Sequence, residues 1–495
     1  MAARRLTPYI AELFTSETLL TARDTVADLK RTIFQTPHAL TVYLQLDDPH
    51  SYLLAQALLK LAIQFEPGTL VNVRIVGPPE EGSTVDQSTW AEWASRDCSV
   101  VAPVFDLEFP RDSTTPAPSD VATAQSLAAA LELKISTAEG SPLLHLSNVV
   151  QIMAALRSSS PSSALTTLQE TYGLDSTSTP TTETVTHLLH TNTQERSKKG
   201  HYASAMVEYG GRWFWGIDRL ELLFLRLSQA GALKKDTERK INGATDADLA
   251  HALLPVSVLP FRPHLARLPQ TPTPGSGSAP VVLDVFWSIR SPYSYVFLAR
   301  TLPKLLRRLG TVNKCQVNLR LVPPMVTRGV PLSPVKRLYI TTDASLCARR
   351  SLVPFGRISD PLAHWHRVAA VVYEARKMGM RCEWELVLSV MRGLWAQGLD
   401  AASDAALVDV AQRYGIASSD ARKAIEEAER DDAAWRKDVS DNLSALTERG
   451  LWGVPSFVVR GGGGYECAMW GQDREWLAWE AVRRFSARDD VHARL

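Results

Sequence analysis

A segment near the start of the chain returns in its second half. Val42 to Tyr52 reads VYLQLDDPHSY and Val285 to Tyr295 reads VFWSIRSPYSY, with Val42/Val285, Pro49/Pro292, Ser51/Ser294 and Tyr52/Tyr295 in register at an offset of 243 residues. A second pair follows in the same order. Trp215-Gly216-Ile217-Asp218-Arg219 and Trp470-Gly471-Gln472-Asp473-Arg474 agree at four of five positions, at an offset of 255. Two matches in one order with similar offsets imply a duplicated domain, and so long a period excludes a solenoid, whose units repeat every 20–50 residues or so. The 495 residues are enough for more than one domain at about 100–200 residues each.

Local patterning gives both copies the same element order. Tyr9, Ile10, Leu13, Phe14, Leu19, Leu20 and Val26 recur at loose helical spacing, so residues 1–35 are expected to be an N-terminal helical extension. A strand is expected over Leu40–Leu44, a helix from Pro49 to about Phe65, and a strand over Leu70–Val76 that ends at Gly77-Pro78-Pro79. Residues 158–186, rich in Ser and Thr with Pro161 and Pro180, read as a surface loop with some helix between Ala164 and Tyr172. Residues 255–280 carry seven prolines, Gly275 and Gly277 and read as the main linker.

The pattern then restarts. A strand is expected over Val281–Trp287, a helix over Pro292–Leu309 with Gly310 as its stop, and a strand over Val317–Val322. A long helical region from about Leu362 to Arg449 follows, with Ser403 and Ser418 as N-caps and Gly450 as a stop. Ser456–Val459 and Tyr465–Met469 read as a hairpin around Gly461–Gly464, and Gln472 to Phe485 as a last helix.

Each half is thus βαβ, a helical insertion, then ββα. This is an α/β fold of two tandem thioredoxin-like domains, each with an inserted helical subdomain. The expected boundaries are 36–230 for the first domain, 231–280 for a linker with a Pro/Gly-rich end, and 281–487 for the second.

Composition removes several classes of function. With 54 Lys+Arg against 53 Asp+Glu the net charge is +1, which supplies no global field for nucleic acid or an anionic membrane. Five scattered cysteines, Cys98, Cys315, Cys347, Cys382 and Cys467, contain no C-x-x-C. That excludes the dithiol redox motif, the usual zinc knuckles and a disulfide framework, and suits a reducing compartment. Met1-Ala2-Ala3-Arg4-Arg5 begins basic, but Glu12, Glu17, Arg23 and Asp24 interrupt any signal core. No apolar run is long enough to span a membrane. A cytoplasmic protein is the expectation.

Four segments carry a family resemblance. They are Phe286-Trp287-Ser288-Ile289-Arg290-Ser291-Pro292-Tyr293-Ser294-Tyr295; Lys336-Arg337-Leu338-Tyr339 followed by Asp343; Gly450-Leu451-Trp452-Gly453-Val454-Pro455-Ser456-Phe457; and Trp470-Gly471-Gln472-Asp473-Arg474. Together they resemble the DsbA-like thioredoxin superfamily, in its branch of 2-hydroxychromene-2-carboxylate isomerases and kappa-class glutathione transferases. The resemblance covers residues 281–487 well and 38–228 weakly.

The resemblance implies glutathione as cofactor and a small-molecule substrate, an aromatic one if the family name is a guide. Ser291 would stand where redox relatives hold a cysteine and would donate its hydroxyl to the glutathione thiolate. A helix N-terminus and a donor both lower a thiol pKa. Ser-Pro is equally an ordinary N-cap followed by proline, and the two roles are compatible. Val454-Pro455 resembles the family's cis-proline, whose preceding backbone pairs with the cysteinyl unit; an ordinary trans proline at a strand start is the alternative. Gln472 and Asp473 would hold the γ-glutamyl end, with an N-cap aspartate as the plain alternative. Lys336 matches a basic position expected to meet a carboxylate, unless it is a solvated helix lysine. Trp287 and Trp470 are candidates for a pocket wall or for the core.

The implied reaction is thiolate addition, bond rotation and elimination, or transfer if the thiolate stays attached. In the first half Asp48 occupies the place of Ser291 and would repel a thiolate. Gly200-His201-Tyr202-Ala203-Ser204-Ala205 offers no proline, with Tyr202 or Ala203 opposite Pro455. This half is expected to be non-catalytic and to pair with the second, the competing idea being a different site around Asp47, Asp48 and His50. His364/His366 and His187/His190 have weak metal-like spacings, and no metal is expected. The readings from other classes are a non-enzymatic tandem scaffold and, less favoured, a thiol oxidoreductase using Cys347 or Cys467 alone.

Overall fold

The computed structural model describes residues 2–79, 87–110, 115–137, 142–174, 179–242, 281–308, 315–330, 332–359, 364–461 and 464–486. The linker at 255–280 and the stop at Gly310 lie outside them.

The first strand of each repeated segment runs through the middle of a four-stranded sheet. In one sheet, β1 (Ala39–Leu44) is parallel to β2 (Leu70–Ile75) and antiparallel to β3 (Met206–Tyr209), which turns back into β4 (Arg212–Trp215). In the other, β5 (Val281–Trp287) is parallel to β6 (Cys315–Leu321) and antiparallel to β7 (Ser456–Arg460), which pairs with β8 (Glu466–Trp470). Val42 faces Val73 and Val207, and Val285 faces Leu319 and Phe457. A strand covered on both faces needs apolar residues throughout. Leu40, Val42, Tyr43 and Leu44 are accordingly all buried, as are Leu283, Val285, Phe286 and Trp287. β2 and β6 instead alternate buried and part-exposed positions.

Each central strand leads into a helix by the same local device. Asp48 caps Pro49–Leu61, its carboxylate accepting from Ser51 N at 3.0 Å, and Ser291 caps Pro292–Arg308, its hydroxyl accepting from Ser294 N at 3.1 Å. Proline at the first helical position costs no hydrogen bond. The helical insertions follow: Gln87–Val104 to Thr182–Lys198 between β2 and β3, and Pro334–Arg350 to Ala434–Thr447 between β6 and β7. A 3-10 turn, Ile217–Arg219 or Gln472–Arg474, then opens the helix after each hairpin, Leu220–Gln229 or Glu475–Ser486.

Contacts divide the chain into two compact units, one of Met1–Leu20, Gln270–Pro331 and Ile340–Leu495, the other of Thr21–Pro269 with Leu332–Tyr339. The helical start breaks at Thr15-Ser16 into Ala2–Phe14 and Glu17–Ile33. In the first unit Glu12 meets Arg357 at 3.3 Å and the Thr15 carbonyl accepts from Arg349. In the second, Arg226 holds Asp24 at 3.3 Å and Asp28 at 2.8 Å.

Two local expectations change. The Ser/Thr-rich stretch is mostly helix: Pro161–Thr171 begins on its proline, and Thr182–Lys198 is capped by Thr181, which accepts from Thr184 N at 3.2 Å. Thr181, which read as a loop-former, acts here as a cap, whereas Ser160 precedes its helix without a side-chain cap bond. Ser418 is not a cap, since Ala417 holds that position without a side-chain bond, whereas Ser403 does cap its helix. Trp287 is a core residue, 1% exposed. Gly450 terminates Ala434–Thr447 with φ +65°, the left-handed conformation that suits glycine.

Candidate functional site

Ser291 gains its surroundings from β7. Its hydroxyl donates to the Val454 carbonyl oxygen at 3.1 Å while capping its own helix. The Val454–Pro455 peptide bond is cis. The Pro455 carbonyl accepts from Gly471 N at 2.8 Å, so Gln472 follows directly on this hydrogen-bonded run. Gln472 is 8% exposed and its Oε1 has no hydrogen-bond partner. Asp473 and Ser291 are both half-buried. The fold therefore brings Ser291, Val454, Pro455 and Gln472 to one end of the sheet, with Asp473 next in the chain.

Apart from Trp470, the neighbours were given no role by sequence. Trp452 and Trp470 pack ring to ring at 4.8 Å, and Gly453 makes room for Trp470: a Cβ there would lie 2.1 Å from the indole nitrogen. Arg328 donates to the Trp452 carbonyl at 2.7 Å, and Tyr293 donates to Asp343 at 2.7 Å. Only the tight spacing of Gly453 between two tryptophan-bearing segments hints at this in sequence.

Lys336 is buried among aromatic residues. Residues Leu332–Tyr339 belong to the unit of the first sheet, where the Lys336 ammonium lies 5.9 Å from the Tyr202 ring centroid and Tyr339 packs edge-on to His201 at 4.4 Å. Burial pushes the Lys336 ammonium down to about 8. The Tyr202 ring faces the charge, and burial disfavours the charged form.

The corresponding end of the first sheet is closed differently. The Asp48 carboxylate accepts from Ser51 N, Ser51 Oγ and Ser204 Oγ, at 3.0, 2.7 and 3.2 Å. Gly216 N donates to Ala205 O at 2.8 Å, as Gly471 N does to Pro455 O. Met206 pairs with Trp215 as Ser456 does with Trp470. Ala205, at φ +56°, is thus the counterpart of Pro455, rather than Tyr202 or Ala203. Behind Asp48, His50 is buried with Asp97 and Cys98, neither of which the sequence reading singled out.

Among the described residues, the weaker histidine pairs belong to no group of three possible ligands. His364 precedes the helix Trp365–Lys377 rather than lying on a strand, and His366 pairs with Glu429 at 3.0 Å. His190 bonds Gln194 at 2.8 Å on an exposed helix face. Burial pushes the Cys315 thiol up to about 11 and raises that of Cys467. Among the described residues, no helix is long and apolar enough to cross a membrane.

Residues 282–480 match the DSBA-like thioredoxin domain. The second sheet and its helical insertion are therefore a DsbA-like thioredoxin fold. Among solved structures, a 2-hydroxychromene-2-carboxylate isomerase is similar at 20% identity and TM-score 0.33, over 41% of this chain and 95% of its own. A probable DsbA oxidoreductase from Streptomyces coelicolor is similar at 18% identity and TM-score 0.32, over 42% and 91%. The cytosolic disulfide reductase DsbM from Pseudomonas aeruginosa is similar at 17% identity and TM-score 0.32, over 40% and 96%. No curated protein matches the chain.

Proposed function

We propose that residues 281–487 form a glutathione-dependent enzyme of the 2-hydroxychromene-2-carboxylate isomerase or kappa transferase type. The single observation that carries this reading is the hydrogen-bonded run from Ser291 through Val454-Pro455 to Gly471, beside the buried, unpartnered Gln472 Oε1. A buried acceptor without a donor is rare in a finished fold, and an ammonium or amide of a peptide-like ligand would satisfy it.

Glutathione, when bound, supplies a thiol nucleophile that the chain itself lacks at this position. The residues then have distinct tasks. The Ser291 hydroxyl turns from the Val454 carbonyl toward an anionic sulfur, and the helix N-terminus favours the same charge. The Val454 carbonyl is released to accept a backbone amide of the ligand, in the manner of an added strand. Gln472 and Asp473 hold the γ-glutamyl end. Lys336 remains a candidate partner for a carboxylate of the ligand or substrate. The chain is further proposed to be a cytoplasmic tandem duplication, supported by the two sheets of identical strand order, with a first domain that pairs with the second and has no glutathione site. Asp48 and Ala205 at the counterpart positions favour that division.

A second reading has its own support. The Ser291 hydrogen is already spent on Val454, which suits a closed, non-enzymatic scaffold. A lone-cysteine oxidoreductase is disfavoured because burial keeps the Cys467 thiol protonated.

Calorimetric titration of glutathione into the full chain separates these readings. The enzyme reading expects one molecule per chain, with Asp473→Ala weakening binding most and Ser291→Ala removing the thiolate absorbance. No binding at millimolar glutathione overturns it in favour of the scaffold.

A further inference from the structure

We propose that His50, Asp97 and Cys98 bind one divalent transition-metal ion, with Zn2+ the natural occupant. This does not depend on the glutathione reading.

His50 lies in the first turn of Pro49–Leu61, and Asp97 and Cys98 are consecutive on Gln87–Val104. One donor atom from each lies within 4.8 Å of the others. Cys98 Sγ is 3.5 Å from His50 Nδ1, and Asp97 Oδ2 is 3.8 Å from the ring's other nitrogen, Nε2, so the ring must turn for one nitrogen to face both. Donor atoms around a tetrahedral Zn2+ stand roughly 3.3–3.7 Å apart, given bonds of about 2.0–2.3 Å. Small side-chain rotations would close the set onto an ion.

The second, independent observation is the state of His50. The residue is 3% exposed and its Nε2 has no hydrogen-bond partner. The carboxylate at 3.8 Å is beyond hydrogen-bond reach. A buried imidazole nitrogen without a partner is a position that a bound metal ion would satisfy.

Charge points the same way. Burying a carboxylate beside a thiolate is costly without a counter-charge, and a divalent ion neutralises both. The ring of His50 is surrounded by Trp215 at 4.9 Å, Trp93 at 5.0 Å and Trp90 at 6.1 Å. Such an apolar wall fixes a ligand's orientation and limits solvent access. A thiolate, imidazole and carboxylate together select a borderline ion over Mg2+ or Ca2+. Three protein donors leave a fourth position for water or a small ligand.

The test uses the chelator-treated full chain titrated with Co2+. The expected result is one ion per chain with a thiolate-to-cobalt charge-transfer band, displaced by Zn2+. Cys98→Ser should abolish the band, and Asp97→Asn should weaken affinity by about tenfold or more. Since either variant can misfold, X-ray absorption on the unaltered Zn2+-loaded chain is the second measurement, expected to show one sulfur at about 2.3 Å. Failure to bind Co2+ or Zn2+ at micromolar concentration, a band that survives in folded Cys98→Ser, or a shell without sulfur would each overturn the proposal.

Discussion

The Ser291 hydroxyl joins two segments 163 residues apart: it donates to Val454 O and accepts from Ser294 N, both at 3.1 Å. One oxygen thus caps a helix and ties it to the backbone ahead of β7. Ser291→Ala should lower stability by about 1 kcal/mol, the usual cost of a lost cap, with Ser291→Thr retaining most of it. Urea denaturation measures this, and a Ser291→Ala chain of unchanged midpoint would contradict the double role.

Gly453→Ala should be more damaging than its single methyl suggests. The added carbon meets the Trp470 ring at 2.1 Å, so the Trp452–Trp470 pair must shift. Overpacking of this kind costs roughly 1–3 kcal/mol. Gly77→Ala, with nothing within 4 Å, is the matched control. Equal urea midpoints for the two variants would show that Trp470 moves freely.

Lys336 should make stability rise with alkaline pH. Its folded pKa, about 8, lies below the ordinary value of 10.5. Between these values the unfolded chain binds the extra proton, so unfolding free energy increases with pH. Lys336→Met should therefore stabilise the chain at pH 7 by an amount on the order of 1–3 kcal/mol, the advantage fading toward pH 10.5. A constant difference across that window would refute the assignment.

His201 should act on the acid side. Burial, then the charge of Arg196, pushes its pKa to about 3 from 6.5, and its Nδ1 accepts from Ala203 N at 3.1 Å. A base depressed in this way contributes stability that is full above 6.5 and declines as pH falls toward 3. His201→Phe should flatten the pH–stability curve between pH 6.5 and 4, as read by thermal melts. The curve of the parent chain should remain steeper, in part because burial also pushes His145 to about 4.

Sequence alone determined what is set by short-range chemistry. Apolar runs, broken by Thr41 and Asp284, dictated the buried central strands, and Asp48-Pro49 and Ser291-Pro292 dictated where helices begin, because caps and proline act within one turn. The Gly450 stop and the β7–β8 hairpin were legible for the same reason. Tertiary structure decided the rest. Ala205 opposes Pro455 because pairing with β4 sets the register, which a sequence offset that drifts between motifs cannot fix. Lys336 lies 5.9 Å from the Tyr202 ring centroid, a pairing between distant segments that no local pattern announces. Cys98 meets His50 across 48 residues, and no spacing rule reaches that far: only the packing of two helices brings their side chains together.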